Sequence, residues 1–324
     1  MLKSFSSCGS LAIKVHHDSN LAYTLFAFFC AQDTLSVPLR GALSYCVQQV
    51  QVHDYVHYLT LLHLPVGLRT AAFTLRAFNV ETGRILESAR EPHLAMMRFQ
   101  WWREALDGLY KGTLLEHPVV TALSLVIAEH KLSKLWFSRI LDARQSDLEM
   151  EGAPRTMQDV EKYTESTASA LLYLTLEAAG VRSTSADHAA SHIGKAEGIS
   201  LLLKGSPHHS LFRRTYIPIE VAARHNVSQE DIYRKVYSEG LADAVLDVAS
   251  VAEAHLSKAR ALAGTVPSAA VPVLLPAVPA GILLNSLEKV HFNVFDPKLA
   301  RGVNGISPFW MQLQLKWHAL RKTY

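Results

Sequence analysis

Apolar residues recur at three- and four-residue intervals from about Tyr45 onward, and runs that alternate between apolar and polar residues are scarce. This spacing puts apolar side chains on one face of an α-helix, whereas a half-buried strand would alternate. One apolar stripe, which we expect to face the core, comprises Leu94, Met97, Trp101, Ala105 and Leu109. The pattern therefore predicts an all-α protein.

Capping residues mark the helix boundaries. Thr156 stands three residues before Asp159, and Ser228 stands three residues before Asp231, so each pair offers a side-chain oxygen and an acid to free backbone N–H groups. The helices predicted from these and similar signals span residues 157–180, 186–204 and 228–263. No internal repeat or low-complexity linker divides the chain. We expect one helical domain over residues 44–324, preceded by a separate segment over residues 1–43.

The segment from Ala261 to Leu287 carries no charged side chain and is long enough to cross a bilayer as a helix. Prolines at 267, 272, 276 and 279 argue against an uninterrupted helix, because each one removes a hydrogen-bond donor and clashes with the preceding turn. We expect broken, buried helices here, and a contact with a membrane surface stays open.

Composition sets limits on the class of protein. With 49% hydrophobic and 19% charged residues, the chain has enough apolar material for a large core, which excludes a disordered protein. The formal net charge is only +3 and no long basic run occurs, so we expect no nucleic acid partner. All three cysteines lie in the first 46 residues, which fits a reducing compartment and leaves no thiolate zinc site in the rest of the chain.

The N-terminal segment has the composition of a targeting sequence. Up to His17 it contains two lysines, four serines and no acid, as mitochondrial transit peptides do, although the first arginine is Arg40. The uncharged run from Leu21 to Ala31 has the length of a secretory signal and offers the alternative interpretation. We favour the mitochondrial one.

Three ordered blocks resemble the squalene/phytoene synthases. Residues 55–87 contain Leu64-Pro65, Arg69 and Ala77-Phe78 at that family's spacing, and residues 98–123 (RFQWWREALDGLYKGTLLEHPVVTAL) are similar to its WWREELDxxYxG block followed by HPV. Residues 194–218 align without a gap with its GxAxQLTNILRDVGEDxxxGRxYLP block. The resemblance implies an isoprenoid synthase-like helical bundle.

Active members of that family hold Mg²⁺ through aspartates on two facing helices, because hard cations are needed to stabilise a departing diphosphate. The resemblance places Gly83, Arg84 and Glu87 at the first aspartate cluster, and Gly205 and His209 at the second. No Asp or Glu occurs from Gly198 to Ile219. We therefore predict no metal, no cofactor, no catalytic residue and a pseudoenzyme.

Two other groups of polar residues are candidates for chemistry. His208 and His209 suit soft metals rather than Mg²⁺, and we expect them to be solvent-facing loop residues. Four acids follow one another near a predicted helix end, where we expect them to be solvated: Asp142, Asp147, Glu149 and Glu151.

An anion or lipid pocket is a further expectation from the resemblance. Its candidate residues occupy positions in or beside the family's diphosphate and prenyl pocket, and they are Arg69, Lys204, Arg213, Arg214 and Tyr216. Such cations hold phosphate without a metal.

Closer resemblance is to the branch of the family that assists the assembly of mitochondrial respiratory complex I, carried by ESTASALLYLTLEAAG, ADHAASHIGKAEGI and KVHFNVFDPKL. It implies a non-enzymatic protein that acts early, at the matrix face of the inner membrane. Its implied partners are complex I subunits, assembly intermediates and other assembly factors, with peripheral membrane association. The alternatives are a residual prenyl-diphosphate transferase and an isoprenoid or lipid carrier that uses the old pocket.

Overall fold

The computed structural model describes residues 36–89, 91–150 and 152–324, without the side chains of Leu86 and Glu87. Within these residues the protein is all-α, as predicted, and the β-structure consists of one isolated bridge between Val303 and Ile306. The α-helices are α1 Val37–His53, α2 Tyr55–Leu61, α3 Val66–Gly83, α4 Ile85–Ser88, α5 Pro92–Lys111, α6 Pro118–His130, α7 Lys134–Glu149, α8 Met157–Thr164, α9 Ala170–Ala178, α10 Thr184–Lys204, α11 Ser206–His209, α12 Ile219–Arg224, α13 Gln229–Tyr233, α14 Glu239–Ala261, α15 Ala277–Lys289 and α16 Pro308–Arg321.

Two groups of packed helices meet at α9. In the first group α1 packs against α3 and α6, and in the second α10 packs along α14 and against α15. Helix α9 contacts α3, α7 and α10, and nearly all of its side chains are buried. This arrangement holds α3 and α10, which carry the first and third family-like blocks, on either side of the interior.

A π-helical segment, Glu165–Ser169, joins α8 to α9, so residues 157–178 form one continuous helical stretch, as predicted. Helix α10 crosses this segment at very short range. A Cβ on Gly194 would lie 2.4 Å from the Cα of Ser169, and one on Gly198 would lie 2.6 Å from the Cγ2 of Thr164. Only glycine permits this approach of the two backbones.

The prediction of one long helix over residues 228–263 is wrong. Ser228 and Asp231 do form a capping box, but the helix that they begin, α13, ends at Tyr233. Lys235 then adopts a left-handed conformation with φ 57°, and the long helix α14 begins only after a new cap at Ser238. A left-handed residue reverses the helical path, and no sequence signal at Lys235 indicated it.

The prediction of which residues of helix α5 are buried is also wrong in part. Leu94 and Met97 are exposed, whereas the core face carries Ala95, Phe99, Trp102 and Leu106 beside Ala105. Trp102 decides this orientation, because its ring packs edge-on against Phe78 on α3 with 5.3 Å between the ring centroids. Tertiary packing rotates the helix by about one residue from the predicted stripe.

The uncharged proline-rich segment folds as the prolines predict. A 3-10 turn at Val271–Leu274 precedes α15, and both are largely buried in the bundle. By length and composition, Val271–Lys289 is the one segment among the described residues that is long and apolar enough to cross a membrane, and 83% of its most apolar window is buried.

The expected boundary at residues 43 and 44 falls inside α1, which begins at Val37. The targeting segment predicted upstream of it lies mostly in residues 1–35, outside the described part of the structure.

Candidate functional site: the interior between α3 and α10

Four ionisable side chains meet between α3 and α10, the helices that end beside the aligned metal positions. Arg76 on α3 lies 3.3 Å from Oε1 of Glu197 on α10, and its Nε lies 3.5 Å from Oδ2 of Asp54. His57 on α2 joins the two acids, with its Nδ1 2.6 Å from Asp54 and its Nε2 2.5 Å from Glu197. Two positive and two negative charges therefore balance one another inside the bundle.

The mutual attraction of these groups outweighs their burial. Burial disfavours ionisation of Asp54, but His57 and Arg76 nevertheless lower its pKa to about 2. Burial likewise opposes the charge of Glu197, and the same two cations hold its pKa below the usual value. For His57, burial and Arg76 lower the pKa, but Asp54 and Glu197 raise it above its usual value. The mutual contacts thus favour the charged forms of Asp54, His57 and Glu197.

Little free space remains beside this cluster. A cavity of about 20 Å³, lined by Arg76, Leu64, Leu171 and Pro276 among others, adjoins the guanidinium. This volume is room for about one water molecule. A prenyl chain needs a pocket on the order of 300 Å³ or more, which this part of the interior does not provide.

At the first aligned metal position, a guanidinium stands close to Gly83, the last residue of α3. Nη2 of the buried Arg144 would lie 3.3 Å from a Cβ on Gly83. Arg144 donates to the carbonyl oxygen of Asn79 at 3.0 Å, to Oδ1 of the same residue at 2.7 Å, and to the hydroxyl of Thr82. Arg84, the next aligned residue, lies with Nη1 3.0 Å from Nε2 of His53. The side chain of Glu87 lies outside the described part of the structure.

The second aligned position is occupied by a neutral imidazole. Our expectation of two solvent-facing loop histidines is wrong for His209, which lies in helix α11 with a mostly buried ring packed against Tyr216 at 4.8 Å. Burial lowers the pKa of His209 to about 4, and the nearby side chains of His208 and Arg214 act in the same direction. A Cβ on Gly205 would lie 2.5 Å from this ring, so the ring fills the space beside Gly205. His208 is exposed.

These donors do not fit Mg²⁺, which requires several oxygen ligands in near-octahedral geometry. Two guanidinium groups flank the first position and a neutral ring fills the second. Among the described residues, no group of three or more His, Cys, Asp or Glu side chains is placed to hold a metal ion.

The structure brings only two of the five expected pocket residues together. Nη2 of Arg214 lies 3.1 Å from Oδ1 of Asp147, and the hydroxyl of Tyr216 donates to Oδ2 of the same carboxylate at 2.7 Å. Arg69 donates instead to the carbonyl oxygen of Leu64.

The other two expected pocket residues lie apart from this pair. Lys204 donates to Oδ1 of Asn304, and Arg213 is an exposed residue paired with Glu230.

Asp147 corrects a second expectation, because this carboxylate is not part of a solvated helix end. It is 5% exposed, and burial raises its pKa against the opposing effects of Arg214 and Tyr216. Asp142, by contrast, is exposed and pairs with Arg103 at 2.5 Å, and Glu149 is likewise not buried. Glu151 lies outside the described residues. A cavity of about 400 Å³ adjoins Asp147 and is lined also by Tyr163, Tyr216 and Val160.

The cluster of Asp54, His57, Arg76 and Glu197 was not predicted from the sequence. A signal was present in the two helices, since Arg76 interrupts the apolar run TAAFTLRAF and Glu197 interrupts AASHIGKAEGI. A charged residue on an apolar helix face implies a buried partner. The sequence does not say which acid meets which base.

Comparison with known proteins identifies the family. The sequence model of squalene/phytoene synthase matches residues 50–303. The match covers more than half of the chain, and the chain therefore belongs to the squalene/phytoene synthase family. The crystal structure of a dehydrosqualene synthase in complex with ligand superposes with a TM-score of 0.75 at 18% identity, covering 87% of this chain and 98% of that one, which confirms the isoprenoid synthase-like fold.

The chain is also similar to proteins with a different role. A Bos taurus protein named NADH dehydrogenase (ubiquinone) complex I, assembly factor 6, is 40% identical over 284 residues, which are 88% of this chain and 84% of that protein. A Drosophila melanogaster homolog of the same name is 38% identical over 279 residues, with 83% of each chain covered.

Proposed function

We propose that this chain is a non-catalytic assembly factor for mitochondrial respiratory complex I. Two kinds of evidence support the proposal. Relatives at about 40% identity over most of the chain carry that name. The single structural observation that carries the proposal is the Asp54–His57–Arg76–Glu197 cluster, which fills the interior between α3 and α10 with balanced charges.

A prenyl transfer needs divalent cations to stabilise the departing diphosphate. Arg144 and Arg84 add permanent positive charge where the family would place a cation, and His209 supplies a neutral ring at the other position. Ion pairs occupy the interior between α3 and α10, where the cavity beside Arg76 has a volume of only about 20 Å³. We infer that it serves as a rigid scaffold whose outer surface binds other proteins.

The proposed site of action is the matrix face of the mitochondrial inner membrane, early in the biogenesis of the complex. The proposed partners are complex I subunits or assembly intermediates and other assembly factors, and the proposed attachment to the membrane is peripheral. Support comes from the names of the relatives, which refer to a complex of the respiratory chain.

The test is deletion of the gene followed by native gel electrophoresis of the respiratory complexes. We expect loss of mature complex I, with the other respiratory complexes retained. Re-expression of the wild-type chain should restore it, and so should a Glu87→Gln variant, which removes the acid that the resemblance aligns with the first metal site. A normal amount of mature complex I in cells that lack the gene would contradict the proposal.

Catalysis has its own test. The purified chain is incubated with farnesyl or geranylgeranyl diphosphate and either Mg²⁺ or Mn²⁺, and the products are analysed by mass spectrometry. We expect no turnover from the wild-type chain or from a Gly83→Asp variant, because the new carboxylate would pair with Arg144. A product that the wild-type chain forms and the Glu87→Gln variant does not would show that the chain is an active enzyme.

A lipid or isoprenoid carrier is the second candidate, favoured by the cavity of about 400 Å³ beside Asp147. Its volume lies within the range of ligand pockets. Mass spectrometry of lipids that co-purify with the chain tests this candidate, and an Ala143→Phe variant, which fills part of the cavity, serves as the comparison. An equal lipid content in both proteins would count against this cavity as the carrier site.

A further inference from the structure

Helix α16 has two apolar faces, and within the described part of the chain only one of them is buried against the bundle. Met311 and Leu315 are fully buried against the bundle, where α16 packs on α15 and α2. Five large apolar side chains remain between 46% and 74% exposed, and they are Phe309, Trp310, Leu313, Trp317 and Leu320. We call these five residues the outer stripe.

The outer stripe is a continuous feature of the helix. At 100° per residue its members fall within a sector of about 100°, and the centre of this sector lies roughly 170° from the direction of Met311 and Leu315. The outer stripe therefore points directly away from the core. It contains two of the five tryptophans of the chain.

The fold does not need the outer stripe to hold α16 in place. Gln312 lies with its Oε1 2.8 Å from Nε2 of His63, which ties the helix to the end of α2. The final residue, Tyr324, is buried and donates from its hydroxyl to the carbonyl oxygen of Ala259 at 3.2 Å. Exposed tryptophan and phenylalanine in this number are costly in water, and large exposed apolar patches mark binding surfaces.

The segment that carries the outer stripe has charges of one sign. The last 28 residues, 297–324, contain no Asp or Glu, as the printed sequence shows. They carry five exposed cationic side chains, namely Lys298, Arg301, Lys316, Arg321 and Lys322. The guanidinium of Arg321 stands 4.1 Å from the ring centroid of Trp317. Cations thus flank the stripe along the chain, and one of them, Arg321, is in contact with it.

We propose that the outer stripe lies in the headgroup region of a lipid bilayer that contains anionic lipids. Tryptophan and phenylalanine on one helix face, flanked by lysine and arginine and without acids, are typical of a helix that lies in the plane of a membrane surface. The charge complementarity favours anionic headgroups over a second copy of this chain, whose own outer stripe lies in a segment with the same cations. The inference rests on the peripheral membrane attachment proposed above and names the surface that makes it. It does not depend on the role in complex I.

The test uses the full chain and sonicated vesicles of neutral phosphatidylcholine, with or without about 25% of an anionic phospholipid. We expect co-sedimentation with the anionic vesicles, weaker binding to the neutral ones, and release as salt is raised. The tryptophan emission should shift to shorter wavelength on binding, because Trp310 and Trp317 leave water. Trp102 is already buried and should not respond.

Two matched pairs of variants locate the surface. Trp310→Ser/Trp317→Ser should weaken binding to anionic vesicles by about tenfold or more, whereas the control Phe212→Ser/Tyr237→Ser, which removes two rings of similar exposure elsewhere, should bind as the wild type does.

The second pair concerns charge. Lys316→Gln/Lys322→Gln should weaken binding by roughly fivefold per cation removed. The control Lys111→Gln/Lys131→Gln removes two exposed lysines at the C-terminal ends of α5 and α6. It should change vesicle binding little.

Three results with the purified chain would overturn the inference: no binding to anionic vesicles, equal binding by Trp310→Ser/Trp317→Ser and the wild type, or a concentration-dependent dimer of the wild type that this variant does not form. Cross-linking of the stripe to a mitochondrial protein without any vesicle binding would also overturn it, since the partner would then be a protein. None of these results bears on the deletion test for complex I, so the two proposals fail separately.

Discussion

Arg76 on α3 and Glu197 on α10 form an ion pair across the interior of the bundle, with 3.3 Å between Nη2 and Oε1, and both side chains are more than 90% buried. A buried pair of this kind loses much hydration and is stable only when further partners satisfy both groups. His57 and Asp54 supply those partners. The cluster therefore joins α3 and α10, the two helices that carry the first and third family-like blocks.

Removal of one charge from the cluster should cost more than removal of a pair. Arg76→Met leaves two carboxylates with only His57 to balance them, and we expect it to lower the free energy of unfolding by about 3–5 kcal/mol. Arg76→Met/Glu197→Met removes one charge of each sign and should recover most of this loss. Urea unfolding followed by circular dichroism measures both. Glu197→Met is measured in the same way. If the losses of free energy of unfolding in Arg76→Met and Glu197→Met simply add in the double variant, the two residues are not coupled.

The His57 charge should appear in the pH dependence of stability. Because the acids raise the pKa of His57 above its ordinary value near 6.5, its contribution is fully present below that pH and is lost as pH rises through the raised pKa. The Tm of the wild type should exceed that of His57→Gln most at pH 6, and the difference should shrink by pH 9. His93→Gln, at an exposed position, is the control and should show no such trend.

His209 should change the pH dependence of stability in the opposite direction from His57. Its pKa is lowered to about 4, so the folded protein resists protonation that the unfolded chain accepts, and stability is lost as pH falls from 6.5 toward 4. No described residue forms a hydrogen bond with its buried Nδ1. His209→Phe keeps a ring against Tyr216 but cannot be protonated. We expect the difference in free energy of unfolding between this variant and the wild type to favour the variant by on the order of 1–2 kcal/mol more at pH 5 than at pH 8. Thermal unfolding at the two pH values measures this gain, and a constant difference would contradict it.

The close approach of α10 to the π-helical segment should make Gly194 intolerant of a side chain. Gly194→Ala puts a Cβ 2.4 Å from the Cα of Ser169, and because backbone atoms have to move we expect a loss of about 3 kcal/mol or more. Gly41→Ala is the matched control, since nothing lies within 4 Å of its Cβ position in the exposed part of α1. It should stabilise the helix by about 0.5–1 kcal/mol. Equal effects of the two changes would show that α10 can shift away from the segment.

The sequence determined the helical class and many helix boundaries, because apolar spacing and capping side chains act locally. Thr156 and Asp159 cap α8 with the reciprocal hydrogen bonds that their spacing predicts. The prolines at 272, 276 and 279 fixed the division between the 3-10 turn and α15 for the same reason. The prediction of a pseudoenzyme likewise rests on the residue types at the aligned positions alone.

Only the tertiary structure decided which faces are buried and which charges meet. Trp102 rather than Trp101 faces the core because of the position of Phe78 on another helix. Asp147 is buried because Arg214 and Tyr216, which are remote in sequence, bind its carboxylate. The pairing of Arg76 with Glu197 and the exposure of the outer stripe on α16 depend on the same kind of contact. A helix is specified by neighbours three and four residues away, whereas a buried charge is stable only beside a partner that folding of the whole chain brings to it.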